Sequence, residues 1–148
     1  MRVLFATILA GVLVVAAGCG GKDAPGAGGA PTIDGSYRLV NIYFFGQWTD
    51  VEANTDRDIV ITGETMTTGH LFGEGESIDP IKTDPSKSPA EIELMKNENG
   101  KIVTEAYGIY KIEGDELTLA IGLEEGSASR PKDFTPRDNV MMFVMKRK

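Results

Sequence analysis

Apolar and polar residues alternate in short runs along most of the chain beyond residue 32, and glycine, asparagine or aspartate follows most of these runs. No segment repeats its apolar positions over a long stretch with the 3.6-residue period of an amphipathic helix. Short alternating runs that end in turn residues predict β-strands in an antiparallel meander. The predicted strands are Ser36–Phe45, Asp58–Thr62, Thr65–Thr68, Ile102–Ile112, Glu116–Ile121 and Asn139–Lys146.

One further segment allows two interpretations. The sequence Ser88-Pro89-Ala90-Glu91 has the form of a helix capping box with proline at the first helical position, which favours a helix over residues 89–97. Residues 91–94 instead alternate with a period of two, and residues 97–100 form a good hairpin turn. We predict a strand here.

Three prolines within ten residues, Pro80, Pro85 and Pro89, predict a stiff, extended loop and not a central strand. The remaining runs predict one all-β domain over residues 33–148, with about eight antiparallel strands. Closing a meander into a barrel removes its unpaired edges. With about eight strands, the interior is either filled by side chains or holds one small ligand.

Residues 1–18 have the composition of a signal peptide. An early arginine precedes residues 3–17, an uncharged apolar run that is shorter than the roughly 20 residues needed to span a bilayer. The small residues leading into Cys19 resemble the lipobox of bacterial lipoproteins, with Ala16 in place of the usual leucine. The resemblance implies cleavage between Gly18 and Cys19 and lipid attachment at the Cys19 thiol. The alternative is an ordinary signal peptide, or an uncleaved anchor, with an incidental thiol.

Residues 19–32 consist mostly of glycine, alanine and proline, so we expect a flexible tether of on the order of 20 Å between the membrane and the domain. Gly20 stands where an inner-membrane retention signal has aspartate, which favours the outer membrane, with the domain facing the periplasm. Removing residues 1–18 takes away Arg2 and no acidic residue, so the formal net charge falls from −7 to −8. Such an acidic chain is a poor nucleic-acid binder.

Candidate catalytic and metal-binding residues are few. His70 is the only histidine and Cys19 the only cysteine, which excludes a zinc site built from these residue types. A Ser–His–Asp triad would need His70, and no serine lies in a nucleophile elbow. The acidic stretches around Asp56 and Glu74 lack the spacing of a calcium loop and are expected to be a solvated face. Paired carboxylates for glycoside chemistry remain open, and we expect no cofactor and no metal.

The remaining signal is apolar and aromatic. Methionine fills irregular cores and also lines adaptable binding surfaces, and in a strand that is apolar on both faces we favour packing over a ligand cup. Phe44, Phe45 and Trp48, beside the first turn, either rim an open barrel mouth or cap a closed core. The other candidates for packing or ligand contact are Tyr107, Tyr110, Met141, Met142 and Met145.

Several motifs in the second half of the chain resemble a known domain family. They are SIDPIKTDPSKSPAEIEL at residues 77–94, GIYKIEGDELTLAI at 108–121, RPKDF at 130–134 and a last apolar strand ending in MKR. The family is an uncharacterised bacterial one, abundant in planctomycetes, often a lipoprotein and regarded as lipocalin-like. Two positions differ: the opening G-x-W of the family is Gly35-Ser36-Tyr37 here, and one aspartate is Glu93. The resemblance implies a lipocalin-like barrel and leaves the activity open.

The resemblance also implies how one barrel end closes, because in lipocalin-like barrels an arginine commonly lies across the aromatic residue of the first strand. Pro131 restrains the backbone beside Arg130 and would aim that side chain reproducibly. We predict that Arg130 stacks on Tyr37 or a neighbouring aromatic ring, with Phe134 packed beneath. Arg147 is the alternative candidate for this position. An alternative role for Arg130 is to bind an anionic ligand.

The leading functional hypothesis is a monomeric, non-catalytic binding module of the cell envelope, held to the membrane through lipidated Cys19. Its partner would be a small apolar ligand or an envelope protein. The second hypothesis is a structural or inhibitor-like envelope protein with a filled barrel and no ligand pocket, and an enzyme comes third. An interior cavity of roughly 300 Å3 or more would favour the first hypothesis over the second.

Overall fold

A computed structural model describes residues 32–52, 58–69 and 76–148. These residues form nine β-strands, one short 3-10 turn and no α-helix. The strands are β1 (Gly35–Phe44), β2 (Gln47–Asp50), β3 (Asp58–Thr62), β4 (Thr65–Gly69), β5 (Glu76–Asp84), β6 (Ala90–Glu98), β7 (Lys101–Glu113), β8 (Glu116–Gly122) and β9 (Val140–Arg147).

The strands form one antiparallel sheet that closes on itself. Each of β3 to β8 pairs with the next strand along the chain, and pairing of β1 with both β3 and β9 completes an eight-stranded barrel. The remaining strand, β2, lies outside the barrel. It pairs with residues 41–44 of β1, whereas β3 pairs with residues 35–38 of β1. The predicted all-β barrel of about eight strands is confirmed.

The two ends of the barrel differ in their connections. At the closed end, β1 begins, β9 ends, and tight turns at Gly63 and Gly114 join β3 to β4 and β7 to β8. At the open end lie the turns at Gly46 and Gly100 and the long connection between β8 and β9 at residues 123–139. Asn99 and Gly100 both have positive φ angles, 54° and 84°, as a two-residue hairpin turn of this type requires.

The observed strands β5 and β6 test two of the predictions made from the sequence. Residues 90–98 form the strand predicted from their alternation, so the capping-box alternative, a helix over residues 89–97, is wrong. The predicted loop across the three prolines is also wrong at Pro80, which lies inside β5. Proline is tolerated there because the neighbours of β5 change at that point. Residues 76–80 pair with β4, whereas residues 81–84 pair with β6. Pro80 therefore lies at the change from one pairing to the other, where its missing N–H does not interrupt the hydrogen bonds of β5 with either β4 or β6.

The barrel interior is an apolar core built from alternate residues of the strands. Its largest members are less than 2 % exposed and belong to one connected cluster: Tyr37, Leu39, Ile61, Ile81, Ile92, Leu117, Leu119 and Met145. A second cluster, of Tyr43, Ile109, Ala120, Val140 and Met142, lies on the outer face, because its residues alternate with inward-facing ones. Phe134 packs against this outer cluster, so β8 is buried on both faces.

Several sequence predictions fall on residues that the structure does not describe: the signal peptide (1–18), the lipid-attachment residue Cys19, residues 19–31 of the tether, and His70, Asp56 and Glu74. Within the described residues, no helix is long and apolar enough to cross a membrane.

Candidate functional site

The barrel wall divides at the open end, between β5 and β6. These two strands pair only through residues 81–84 and 91–94. Nearer the open end, residues 76–80 of β5 pair with β4, and residues 95–98 of β6 pair with β7. The pairing of β6 with β7 shifts register between Leu94 and Met95, at the point where β6 stops pairing with β5. The result is a cleft between two hairpins that leads towards the barrel interior.

The cleft has a volume of about 500 Å3. Its floor is apolar and consists of Met66, Leu94, Ala106, Ile121 and Met141, which also belong to the interior core or pack against it. Its rim is polar and carries four carboxylates. The rim residues are Ser77, Asp79, Met95, Glu105, Gly122, Leu123, Glu124 and Glu125.

The polar rim has few internal partners among the described residues. Ser77 donates a hydrogen bond to the Asp79 carboxylate at 2.5 Å. Lys96 lies 3.5 Å from the Glu105 carboxylate, and its ammonium group also pairs with Glu98 at 2.9 Å. The hydrogen bond to Glu98, together with the charges of Glu98 and Glu105, raises the pKa of Lys96 above its usual value.

Below the cleft the barrel is filled. The void beneath it measures about 40 Å3 and is lined by side chains such as Ile59, Leu119 and Phe143. That volume is far below the roughly 300 Å3 of a small-molecule site. The interior of the described barrel therefore lacks the cavity that would have favoured a ligand-binding barrel over a filled one. The spaces open to a ligand lie at the surface: the open-end cleft, a depression of about 420 Å3 beside Pro89 and Phe134, and one of about 600 Å3 beside Pro131.

The candidate methionines and tyrosines separate onto different faces. Met141 lies in the cleft floor, Met145 in the interior core, and Met142 in the outer cluster. Tyr110 belongs to the interior core, and burial raises the pKa of its hydroxyl. Tyr107 lies on the outer face beneath Arg130. Of the five, only Met141 lines the cleft, and the other four serve packing.

Arg130 lies across the outer face of β6 and β7 and contacts five residues of these strands, one of them through a hydrogen bond of 3.5 Å to the carbonyl of Ile92. Its Nη1 atom is 3.1 Å from the Glu91 carboxylate and donates to the carbonyl of Gly108 at 3.0 Å. Its Nη2 atom donates to Glu93 at 3.4 Å, and the guanidinium carbon lies 5.3 Å from the centre of the Tyr107 ring. These contacts attach the 123–139 connection to the barrel and leave the guanidinium little capacity for an anionic ligand.

Arg130 was predicted to stack on Tyr37 or a neighbouring aromatic ring: the ring beneath it is that of Tyr107, and the alternative candidate, Arg147, occupies the position at Tyr37. The guanidinium of Arg147 lies 5.3 Å from the centre of the Tyr37 ring, and its Nη2 atom donates to the Tyr37 hydroxyl at 2.9 Å. The Tyr37 hydroxyl in turn donates to the carbonyl of Ile33 at 2.8 Å. The cause is the pairing of β1 with β9, which places Arg147 directly opposite Tyr37.

The other residues of the arginine motif have separate roles. Phe134 does not lie beneath Arg130: it contacts the outer cluster, and the ammonium group of Lys111 lies 5.4 Å from the centre of its ring. Pro131 is buried. In the same connection, Arg137 hydrogen-bonds Asp133 at 2.8 Å, which with the Thr135 amide lowers the pKa of that carboxyl to about 2.

The aromatic residues of the first hairpin lie at the open end but do not line the cleft. Phe45 is 75 % exposed in the turn between β1 and β2, and its ring centre lies 3.9 Å from that of Phe44. The Trp48 ring lies 5.4 Å from Tyr43 of the outer cluster. Neither proposed role, rimming the barrel mouth or capping the core, describes this hairpin.

Sequence analysis missed the four rim carboxylates, Asp79, Glu105, Glu124 and Glu125. The available signal was the acidic pair at residues 124–125, which begins two residues after the end of the apolar strand β8, together with an aspartate at an inward-facing position of β5. The described residues contain no group of three or more histidine, cysteine, aspartate or glutamate side chains arranged to hold a metal ion.

Comparison of the chain with protein-family models, with curated proteins and with solved structures finds no match. The resemblance to the lipocalin-like family therefore stays a prediction from the sequence.

Proposed function

We propose that this protein is a lipid-anchored, non-catalytic binding module of the cell envelope, and that its cleft holds the apolar part of a small ligand. The observation that supports the proposal is the cleft of about 500 Å3 with an apolar floor. Small-molecule sites typically measure roughly 300–1,000 Å3 and combine apolar walls with a few polar groups. Covering apolar surface is favourable by about 25 cal/mol per Å2, so an apolar ligand group gains most by lying on this floor.

The position of the cleft is compatible with the proposed anchor. Ile33, the first core residue of the barrel, hydrogen-bonds Tyr37 at the closed end. A chain that reaches the domain from Cys19 enters at that end, whereas the cleft opens at the other. An anchored domain therefore keeps its cleft accessible to ligands in the surrounding fluid.

Filling the cleft floor tests the binding site. We expect Ala106→Phe to weaken binding of the neutral fluorophore N-phenyl-1-naphthylamine by about tenfold, because the added ring occupies the space that the ligand needs. The measurement is a fluorescence titration of residues 32–148. The matched control is Val60→Phe, which adds a similar side chain at an exposed position of β3, away from the cleft, and is expected to leave the affinity unchanged. Equal binding to the wild type and Ala106→Phe would exclude the cleft as the site.

Replacing Cys19 tests the anchor. We expect the Cys19→Ala protein to keep its first 18 residues and to take up no radioactive palmitate in cells, because the lipoprotein peptidase acts only before a lipidated cysteine. The wild-type protein is expected to be labelled and to begin at Cys19. An unlabelled wild-type protein with a different first residue would refute the lipoprotein proposal and leave the cleft proposal unaffected.

A second candidate function is a filled barrel that docks on an envelope protein. The interior void of about 40 Å3 and the adjoining exposed rings of Phe44 and Phe45 favour it. Native mass spectrometry of protein extracted in mild detergent separates the candidates. A co-purified small molecule supports the ligand module, whereas a stoichiometric protein partner in a complex without a small molecule supports the docking barrel.

A further inference from the structure

We infer that the ligand of the open-end cleft is a cationic amphiphile, a small molecule that joins an apolar group to a protonated amine. The inference rests on the proposed function and concerns the charge of the ligand. Two features of the cleft support it: an inward-facing carboxylate beside the apolar floor, and a rim whose described charged residues are all acidic.

The carboxylate is that of Asp79. Alternate residues of β5 face the same side, and Ile81, two positions further on, is fully buried in the core. Asp79 and Ser77 therefore face inward at positions where a barrel strand ordinarily carries apolar side chains. Asp79 is half-buried and accepts a hydrogen bond from Ser77, which leaves further acceptor positions of its carboxylate facing the cleft.

The rest of the rim has the same sign of charge. Glu105, Glu124 and Glu125 complete the set of four carboxylates, and among the described residues no lysine or arginine lines the cleft. Lys96 pairs with Glu105 from outside the lining and offsets one of the four charges. The cleft therefore carries a net negative charge around an apolar floor.

This combination selects the charge of a ligand. A charged group beside low-dielectric walls interacts with the rim more strongly than it would on an open surface. An ammonium group can donate hydrogen bonds to Asp79 while its chain covers the apolar floor, and such charge-assisted hydrogen bonds are stronger than neutral ones. A sulfate or carboxylate headgroup in the same place would be repelled by the carboxylates of the described rim.

Three ligands with the same ten-carbon chain test the inference: decylammonium, decanol and decyl sulfate. Each displaces N-phenyl-1-naphthylamine from residues 32–148, at concentrations below micelle formation. We expect decylammonium to bind about tenfold more tightly than decanol, and decyl sulfate to bind most weakly. The preference is expected to shrink at 0.5 M NaCl, because salt screens charges near the surface.

A pair of neutralised variants assigns the preference to the rim. We expect Asp79→Asn combined with Glu124→Gln to lower decylammonium affinity about fivefold and to leave decanol affinity unchanged. The matched control is Asp115→Asn combined with Glu64→Gln, which removes the same two charges from exposed positions at the closed end. This control is expected to retain the wild-type preference, so an effect of net charge alone is distinguished from an effect of the rim.

The outcomes separate this inference from the proposed function. Equal affinity of the wild type for all three ligands, with competition lost in Ala106→Phe, would refute the cationic preference and keep the cleft as a binding site. A preference for decyl sulfate would also refute it. Failure of all three ligands to displace the fluorophore would count against the proposed function itself.

Discussion

Replacing Tyr37 with alanine is expected to lower the free energy of unfolding by about 4 kcal/mol, since truncating a buried aromatic side chain costs about 3–5 kcal/mol. The Tyr37 ring is 1 % exposed and fills the closed end of the barrel. The substitution also removes the hydroxyl that donates to Ile33 and the ring beneath Arg147. Chemical denaturation of residues 32–148 measures the loss, and a thermal midpoint lower by roughly 15 °C should accompany it.

Two further variants separate the contributions of the Tyr37 ring, its hydroxyl group and Arg147 to this loss of stability. Tyr37→Phe keeps the ring and is expected to cost only about 1 kcal/mol, because it leaves the Ile33 carbonyl without its donor. Arg147→Ala is expected to cost about 1 kcal/mol in the wild type and close to nothing in Tyr37→Ala, because its partner is then already absent. A loss of less than about 1 kcal/mol in Tyr37→Ala would contradict a closed end that depends on this ring.

Replacing Arg130 with alanine is expected to lower the free energy of unfolding by about 2 kcal/mol. The side chain of Arg130 is 16 % exposed. Its removal leaves the Glu91 and Glu93 carboxylates side by side on neighbouring outer positions of β6, and the Gly108 carbonyl loses a donor. The unfolding midpoint in a thermal melt, with no ligand present, measures the effect.

The matched control for Arg130 is Arg137→Ala in the same connection. Arg137 pairs with Asp133 at the exposed surface, where an ion pair contributes about 0.5 kcal/mol or less. Arg130→Lys is expected to fall between the two, because a lysine keeps the charge and loses the planar set of donors that reaches several acceptors. Equal midpoints for Arg130→Ala and Arg137→Ala would mean that Arg130 does not attach the connection to the barrel.

The sequence predicted most strands because each has an alternating or apolar run and a turn residue at its end. β3 was predicted with its observed bounds, and the turns at Gly100 and Gly114 were predicted at their observed positions. β2 was not predicted, since its four residues are all exposed and show no apolar period. β5 was not predicted because it contains Pro80 and carries polar residues at inward positions.

The site could not be predicted because it depends on pairings between distant segments. Either Arg130 or Arg147 can reach an aromatic ring, and only the register of β1 against β9 decides which of them meets Tyr37. The cleft likewise arises where β5 and β6 stop pairing after four residues. Pro80 adjoins the end of that ladder, but a proline does not show which distant strand lies beside it, so the acidic residues around the cleft could not be recognised as one group.

The division of the wall between β5 and β6 also has a dynamic consequence. The hairpin of β4 and β5 and the hairpin of β6 and β7 share no ladder beyond Ile81 and Leu94, so they can separate at the open end without breaking backbone hydrogen bonds between them. Motions of this kind need little free energy compared with global unfolding. The width of the cleft can therefore vary while the Tyr37 end stays closed, and under the proposed function one cleft would accept ligands of different thickness.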